Sequence, residues 1–110
     1  MKQGEIWFAD LNPAKGSEQA GYRPAVIVSG NLANDNLKTV ICCPLTTQIK
    51  NYKGNVILKP NQLNKLKQPS EVITFHIRSI SKERLIKKTG KISEDELIQI
   101  KKCFDDIWRY

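Results

Sequence analysis

Short stretches of alternating or continuous apolar residues predict a chain built mainly from β-strands. In residues 4–11 (GEIWFADL), Ile6 and Phe8 fall on one face of a strand, and Trp7 and Ala9 fall on the other. This spacing of two residues predicts the first strand.

Four further segments favour strands. Residues 24–29 (PAVIVS) are apolar on both faces, which is typical of a central strand, and proline is tolerated at the first position. Residues 39–48 (TVICCPLTTQ) predict a longer strand, in which Pro44 indicates an edge position or a bulge. The other two predicted strands are 55–59 and 71–80.

Polar segments rich in Gly, Pro, Asn and Ser separate these strands. They predict a loop over 12–22, a turn over 30–36, a segment with a short helical turn over 60–70, one helical turn over 81–85, and a brief strand or turn over 87–92.

The last segment predicts an amphipathic helix. Ser93 and Glu96 have the spacing of a capping box, in which each side chain bonds the backbone N–H of the other. An apolar stripe follows at helical spacing, predicted to pack onto the sheet and partly to serve a subunit interface. Its members are Leu97, Ile100, Phe104, Ile107 and Trp108.

These elements predict one domain over residues 1–110, mainly β with a C-terminal α-helix. Five to seven short strands followed by one helix favour a small, strongly bent sheet or open barrel.

Charge and cysteine content narrow the functional classes. Eighteen Lys and Arg against eleven Asp and Glu give a net charge of +7, which suits a polyanion such as a nucleic acid and equally suits a plain solubilising surface.

Three cysteines without a CxxC spacing, together with one histidine, predict neither a disulfide framework nor a zinc site. No segment is typical of a signal peptide or a membrane helix, so we expect a reduced, cytoplasmic protein.

Three segments carry candidate chemistry. In residues 71–80, alternation would place Ile73, Phe75 and Ile77 on a core face, and Thr74, His76 and Arg78 on a polar face. That polar row is typical of a solvent-facing strand, although a His–Arg pair would also suit a phosphate. In the strand 39–48, Thr46 and Thr47 point to opposite faces.

The loop before residue 24 is the third candidate segment. Glu18, Gln19 and Arg23 are interleaved with small residues, so its backbone could approach a ligand closely, or it could be a surface hairpin. The sequence contains no GxSxG, no P-loop and no recognisable Cys–His dyad.

Taken in order, GEIWFADLNPAKGSEQAGYRPAVIVS, PLTTQ, ITFHIRSISKERL and GKISEDEL resemble the MazF/PemK-type toxins of bacterial type II toxin–antitoxin systems. The most specific stretch is KGSEQAGYRP, residues 15–24. The resemblance implies an SH3-like β-barrel with a C-terminal helix. It also implies a homodimer that cuts single-stranded RNA, such as mRNA, without metal or other cofactor, and is inhibited by an acidic antitoxin. The expected products are a 2′,3′-cyclic phosphate and a 5′-hydroxyl.

Carried over motif by motif, the resemblance implies catalytic roles for Arg23 and Thr46 and catalytic support from Glu18. Many members have glutamine where this chain has His76, whose imidazole suits either proton transfer or a contact with the scissile phosphate or a base. The residues expected to bind RNA are Lys15, Ser17, Gln19, Tyr22, Thr47, Gln48 and Arg78. Further candidates are Lys50, Lys53 and Lys82 for the RNA backbone, and Trp7 and Tyr52 for base stacking.

Two alternatives from other functional classes stay open at this point. One is a non-enzymatic toxin of the related gyrase-poisoning branch, which would depend on the C-terminal helix around residues 108–110. The other is a basic RNA-binding barrel without activity.

Overall fold

Seven antiparallel strands and a C-terminal helix dominate the part of the chain that the computed structural model describes, which is residues 1–12, 21–52 and 55–109. In chain order the elements are β1 (Glu5–Asp10), β2 (Tyr22–Ile27), α1 (Asn31–Asn36), β3 (Thr39–Thr46), β4 (Val56–Leu58), β5 (Ser70–Val72), β6 (Arg78–Ser81), β7 (Leu85–Lys91) and α2 (Glu94–Arg109). Two 3₁₀ turns, Thr74–His76 and Lys82–Arg84, precede and follow β6.

The strands form one curled sheet in the order β4-β5-β3-β2-β1-β7. β2 pairs along one edge of β3, and β6 and then β5 pair along the other. Along this edge β3 pairs first with β6 and then with β5, and the sheet curls where the partner changes. The result is a half-barrel with β4 and β7 at its ends.

Apolar side chains fill both faces of the sheet. Adjacent Cys42 and Cys43 are both buried and belong to different clusters, as expected for neighbours on a strand. The cluster beside α2 consists of Ile6, Val26, Cys43, Leu45, Val56, Leu58, Val72, Ile92 and Ile100. The cluster on the other face consists of Ala9, Leu11, Ala25, Ile27, Val40, Cys42, Ile80 and Leu85.

The predicted C-terminal helix is confirmed as α2. The backbone N–H of Ser93 donates to Glu96 Oε1 over 2.9 Å, and that of Glu96 donates to Ser93 Oγ over 3.2 Å. This reciprocal pair satisfies two N–H groups that the first turn of a helix leaves without partners. Ile100 is fully buried in the core, whereas Trp108 is 69% exposed at the far end of the predicted stripe.

The prediction of one continuous strand over 71–80 was wrong. The segment divides into the end of β5, the turn Thr74–His76 and the start of β6. The turn breaks the two-residue alternation on which the predicted faces depended. Thr74 is therefore buried, and Phe75, predicted to face the core, is 76% exposed.

The predicted turn over 30–36 is instead the short helix α1. The backbone N–H of Asn34 donates to the Gly30 carbonyl over 3.0 Å, and the Asn34 side-chain amide donates to the Ser29 carbonyl over 2.8 Å. The buried Asn34 side chain thus closes a helical turn in a polar segment that has the composition of a loop.

Of the two alternatives predicted for Pro44, an edge position or a bulge, the edge position was wrong, because β3 lies inside the sheet. Pro44 pairs with Ala25 of β2, and it falls between the last residue of β3 that pairs with β6, Cys42, and the first that pairs with β5, Leu45. Neither of those two ladders includes Pro44, so the missing N–H of proline interrupts neither.

Candidate active site

Strand alternation puts Arg23 and Thr46 on the same face of the sheet. Arg23 of β2 pairs with Ala9 of β1, and Thr46 of β3 pairs with Glu71 of β5. The last β2–β3 pair is Ala25 with Pro44, and Arg23 and Thr46 each lie two residues beyond it on their own strands. Paired residues share a face, and so do residues two apart on one strand. Two residues that are 23 positions apart in the sequence therefore face the same surface.

Arg23 is half-buried near the start of β2, and the strand holds its backbone in place. Tyr22 precedes it in the strand, so alternation directs the Tyr22 ring to the other face. That ring is 61% exposed and stacks on Phe8, with 6.3 Å between ring centroids and 26° between the planes.

Thr46 ends β3 with its side chain held in place. Its Oγ1 accepts a hydrogen bond of 3.1 Å from the backbone N–H of Gln48. A hydroxyl that accepts such a bond still carries its own proton to donate. Thr47 and Gln48, which follow it, are exposed.

Glu71 is a member of this site that the sequence reasoning missed. Its side chain is fully buried beside Thr46, and it accepts hydrogen bonds from the segment that follows β3. Burial favours a higher pKa, but the bonds from Asn55 and from the backbone of Lys50, Asn51 and Tyr52 outweigh it and hold the pKa of Glu71 below its usual range. The alternation predicted for 71–80 puts Glu71 on the same face as Ile73 and Phe75, but glutamate is seldom buried, so the sequence reasoning did not use this signal.

His76 ends the 3₁₀ turn, outside the row that was predicted for it. Thr74, expected beside it, is buried and donates from its hydroxyl to Asn55 Oδ1 over 2.8 Å. The Nδ1 atom of His76 is buried and has no hydrogen-bond partner among the described residues. Any exchange of a proton between this half-buried ring and a substrate would therefore involve Nε2.

Two arginines from the far side of the sheet bond to the base of the β1–β2 loop. Arg78 donates to the Leu11 carbonyl over 3.2 Å, and Arg84 donates to the carbonyls of Asp10 and Asn12. The Asn12 side chain in turn accepts from the backbone N–H of Gly21 over 2.9 Å. The two ends of the loop are thus fixed to each other and to β6. Arg84 was not predicted, because only tertiary contacts place it there.

The other predicted residues are scattered. Gln48, Lys50 and Tyr52 are exposed on the segment after β3, whereas Lys82 donates to the Asn34 carbonyl beside α1. Trp7 is half-buried, and its indole N–H is bonded to Glu5. Lys15, Ser17, Glu18, Gln19 and Lys53 lie outside the described residues.

The described residues contain neither a candidate metal site nor a membrane-spanning helix. No group of three or more His, Cys, Asp or Glu side chains in these ranges could hold a metal ion. Neither α1 nor α2 is long and apolar enough to span a membrane.

Comparison with known proteins agrees with this fold. Residues 2–108 match the family model described as PemK-like, MazF-like toxin of type II toxin–antitoxin system. The chain is 36% identical over 117 residues to the endoribonuclease MazF9 of Mycobacterium tuberculosis, covering 98% of both chains.

Solved structures of this kind share the curled sheet and the helix. A crystal structure of MazF from Deinococcus radiodurans superposes with a TM-score of 0.86 at 24% identity, covering 100% of this chain and 97% of that one. A MazE–MazF crystal structure from the same organism matches with a TM-score of 0.79 at 24% identity, covering 99% and 96% of the two chains. The predicted fold class, a small barrel-like sheet with a C-terminal helix, is therefore confirmed. Together with the family match, which spans nearly the whole sequence, this shows that the chain belongs to the PemK-like, MazF-like toxins of type II toxin–antitoxin systems.

Proposed function

We propose that this chain is a sequence-selective endoribonuclease that cleaves single-stranded RNA, including mRNA, without a metal ion. The observation that carries the proposal is the placement of Arg23 and Thr46 on one face of the sheet, with the exposed residues 47–52, which include Lys50, following Thr46. Membership of the toxin family and the endoribonuclease name of the relative from Mycobacterium tuberculosis support the same reaction.

In the proposed reaction, the 2′-hydroxyl of a ribose attacks the adjacent phosphorus. The bond from phosphorus to the 5′-oxygen of the next nucleotide breaks. The 2′-hydroxyl loses its proton and the leaving 5′-oxygen gains one, so the products are a 2′,3′-cyclic phosphate and a 5′-hydroxyl. Negative charge develops on the non-bridging oxygens, and this charge is what the site must stabilise.

Arg23 and Thr46 supply that stabilisation in the proposal. The guanidinium offers a planar fork of donors that fits two phosphate oxygens, and it stays charged at neutral pH. The Thr46 hydroxyl donates to a non-bridging oxygen while its own oxygen remains bonded to the Gln48 N–H. Both groups bind the charged transition state more strongly than the substrate, and this difference accelerates the reaction.

The partners follow from this chemistry. The net charge of +7 favours RNA and also favours an acidic segment of a cognate antitoxin that would compete for the same surface. The MazE–MazF structures from Deinococcus radiodurans are a precedent for such a complex. The protein acts as a homodimer in this proposal, and an mRNA substrate places its activity in the cytoplasm.

Cleavage of a mixed-sequence single-stranded RNA in EDTA tests the proposal directly. The purified protein should give discrete fragments whose 5′ ends a polynucleotide kinase can label without prior dephosphorylation. Arg23→Ala should reduce the rate by at least about a hundredfold, and Arg23→Lys should restore little of it because lysine lacks the fork. Lys101→Ala, which removes an exposed positive charge from α2, is the matched control and should cleave like the parent protein.

Three results would contradict the proposal. They are an absence of cleavage in any RNA tested, fragments with 5′-phosphate ends, and full activity of Arg23→Ala.

A further inference from the structure

Glu71 is the most completely buried charged group in the described residues, and it has no role in the proposed reaction. Its side chain is 0% exposed, and it lies in β5 directly opposite Thr46. Removing a carboxylate from water costs free energy that hydrogen bonds must offset. The groups that bond to Glu71 therefore indicate its role.

Those partners come mainly from one short backbone segment. Oε1 accepts from the N–H groups of Lys50 and Asn51 over 2.8 and 3.1 Å, and Oε2 accepts from Tyr52 over 3.1 Å. Three consecutive N–H groups thus converge on one anion, with Asn51 in the left-handed conformation at φ 55°. The carboxylate therefore determines the path of this backbone.

The same carboxylate is linked to the turn that carries His76. Asn55 donates from its side-chain amide to Glu71 Oε2 over 2.9 Å, and its Oδ1 accepts from the Thr74 hydroxyl over 2.8 Å. The hydrogen bonds run without a break from residues 50–52 through Glu71 and Asn55 to the 3₁₀ turn. Polar networks that are satisfied in this way hold their members in a single arrangement.

The segment held by Glu71 lies at the surface, where its side chains are open to a ligand. Gln48, Lys50 and Tyr52 are exposed, and the Gln48 N–H is bonded to Thr46 Oγ1 at the other end of the segment. An amide, an ammonium group and a phenol are suited to a base edge, a phosphate and base stacking, respectively. The backbone that carries these side chains is bonded to Thr46 and Glu71 in the protein alone, before any ligand binds.

We propose that Glu71 is a positioning residue that fixes residues 48–52 beside Thr46 and so determines which RNA segment binds and where it is cut. The inference rests on the proposed endoribonuclease function and extends it. Glu71 is fully buried and its carboxylate is bonded to four protein donors, so it acts on the RNA through residues 48–52, and its effect is on binding and on the choice of cleavage site.

Glu71→Gln is the test, because it preserves shape and replaces one acceptor oxygen by an NH₂ group facing N–H donors. We expect KM for a single-site RNA to rise about tenfold and kcat to stay within about threefold. Sequencing of fragment ends should show a broader choice of cleavage sites. Glu83→Gln makes the same change of charge at an exposed position and should keep the parent KM and cleavage pattern.

Hydrogen exchange of the protein alone separates this inference from the proposed function. The amides of residues 50–52 should exchange at least about tenfold faster in Glu71→Gln, while those of β1 and β2 keep the parent rates. Asn55→Ala, which removes one of the four bonds and keeps the carboxylate, should show a smaller change of the same kind, and it replaces Glu71→Gln if that variant does not fold.

Unchanged exchange at residues 50–52, or unchanged KM and cleavage pattern in a folded variant, would overturn the positioning role. A fall in kcat at constant KM would also overturn it, because the carboxylate would then act on the chemical step. A parent protein that cuts no RNA would count against the proposed function alone, since the exchange measurement does not depend on cleavage.

Discussion

Arg78 makes a structural hydrogen bond at a position where the sequence predicts a contact with RNA. It was predicted to bind RNA, and the structure directs one of its nitrogens to the Leu11 carbonyl, 67 residues earlier. Burial raises the pKa of the neighbouring Cys42 thiol to about 11 even though the charge of Arg78 opposes this, which keeps the thiol protonated. The guanidinium thus has a structural partner at the base of the loop that precedes Arg23.

Replacing Arg78 by alanine distinguishes these two roles. We expect the free energy of unfolding to fall by about 1–3 kcal/mol, because the variant loses a hydrogen bond from a charged donor. Urea denaturation measures this loss, with Lys87→Ala as an exposed control on β7. A variant of parental stability whose RNA binding depends less steeply on salt would instead show that Arg78 acts on phosphate.

His76 is the residue whose role the fold redefined most. Nδ1 is buried without a partner among the described residues, which leaves Nε2 as the ring nitrogen available for a contact with RNA. We expect the ring to position the RNA rather than to transfer a proton.

We therefore expect His76→Gln to retain cleavage within about tenfold of the parent rate, with the same shape of the pH–rate profile. Glutamine keeps a donor and an acceptor but cannot titrate. The loss of a limb of the profile between pH 5 and 8 would contradict this expectation and would assign proton transfer to the ring.

At the scale of the elements, the packing of β7 depends on a glycine. A Cβ built on Gly90 would lie 2.4 Å from the carbonyl oxygen of Asn64 and 2.7 Å from that of Leu63. Both contacts are with backbone, and Lys91 beside it donates to the same Leu63 carbonyl over 3.2 Å. The turn around Asn64 thus packs against β7 at a distance that only glycine permits.

Gly90→Ala should accordingly reduce the free energy of unfolding by about 2–4 kcal/mol. Gly30→Ala is the matched control, since a Cβ there meets nothing within 4 Å, and it should cost less than about 1 kcal/mol. Chemical denaturation of both variants measures the difference. Equal stability of the two would show that the turn can move away from β7 at little cost.

At the scale of the whole molecule, the half-buried Glu5 and the buried Glu71 make stability depend on pH. Burial favours a higher pKa for Glu5, but bonds from the Trp7 indole, the Lys2 backbone and Lys88 outweigh it and lower the pKa to about 2. The Lys88 ammonium lies 3.1 Å from Glu5 Oε2, which joins β1 to β7. The pKa of Glu71 is lowered as well. Between its folded and unfolded pKa values each group binds more protons in the unfolded chain, so acid favours unfolding.

Stability should therefore be constant above about pH 5 and fall as the pH is lowered from about 5 towards 2. Glu5 alone should account for about 2–3 kcal/mol of this loss. Urea denaturation of the parent protein and of Glu5→Gln at pH 3, 5 and 7 measures it. The two curves should lie furthest apart at pH 7 and converge at low pH, whereas parallel curves would contradict the assignment to Glu5.

The sequence by itself determined the elements whose signals are local. The strands around Ile6 and Val26 follow from runs of apolar residues, and the start of α2 follows from the spacing of Ser93 and Glu96. The motifs that carry Arg23 and Thr46 also sufficed to indicate the toxin family. These features depend on neighbours within a few positions, and such neighbours can be read along a chain.

Only the tertiary structure decided how the site is assembled. The arrangement of β2, β3 and β5 sets Arg23 on the same face as Thr46 and Glu71 opposite Thr46, and the 3₁₀ turn removes His76 from the face predicted for it. The Glu71 carboxylate is stabilised in the interior by donors from residues 50–52 and from Asn55, about twenty positions away. A charge of this kind reads as exposed in the sequence, since the partners that stabilise it are brought to it only by folding.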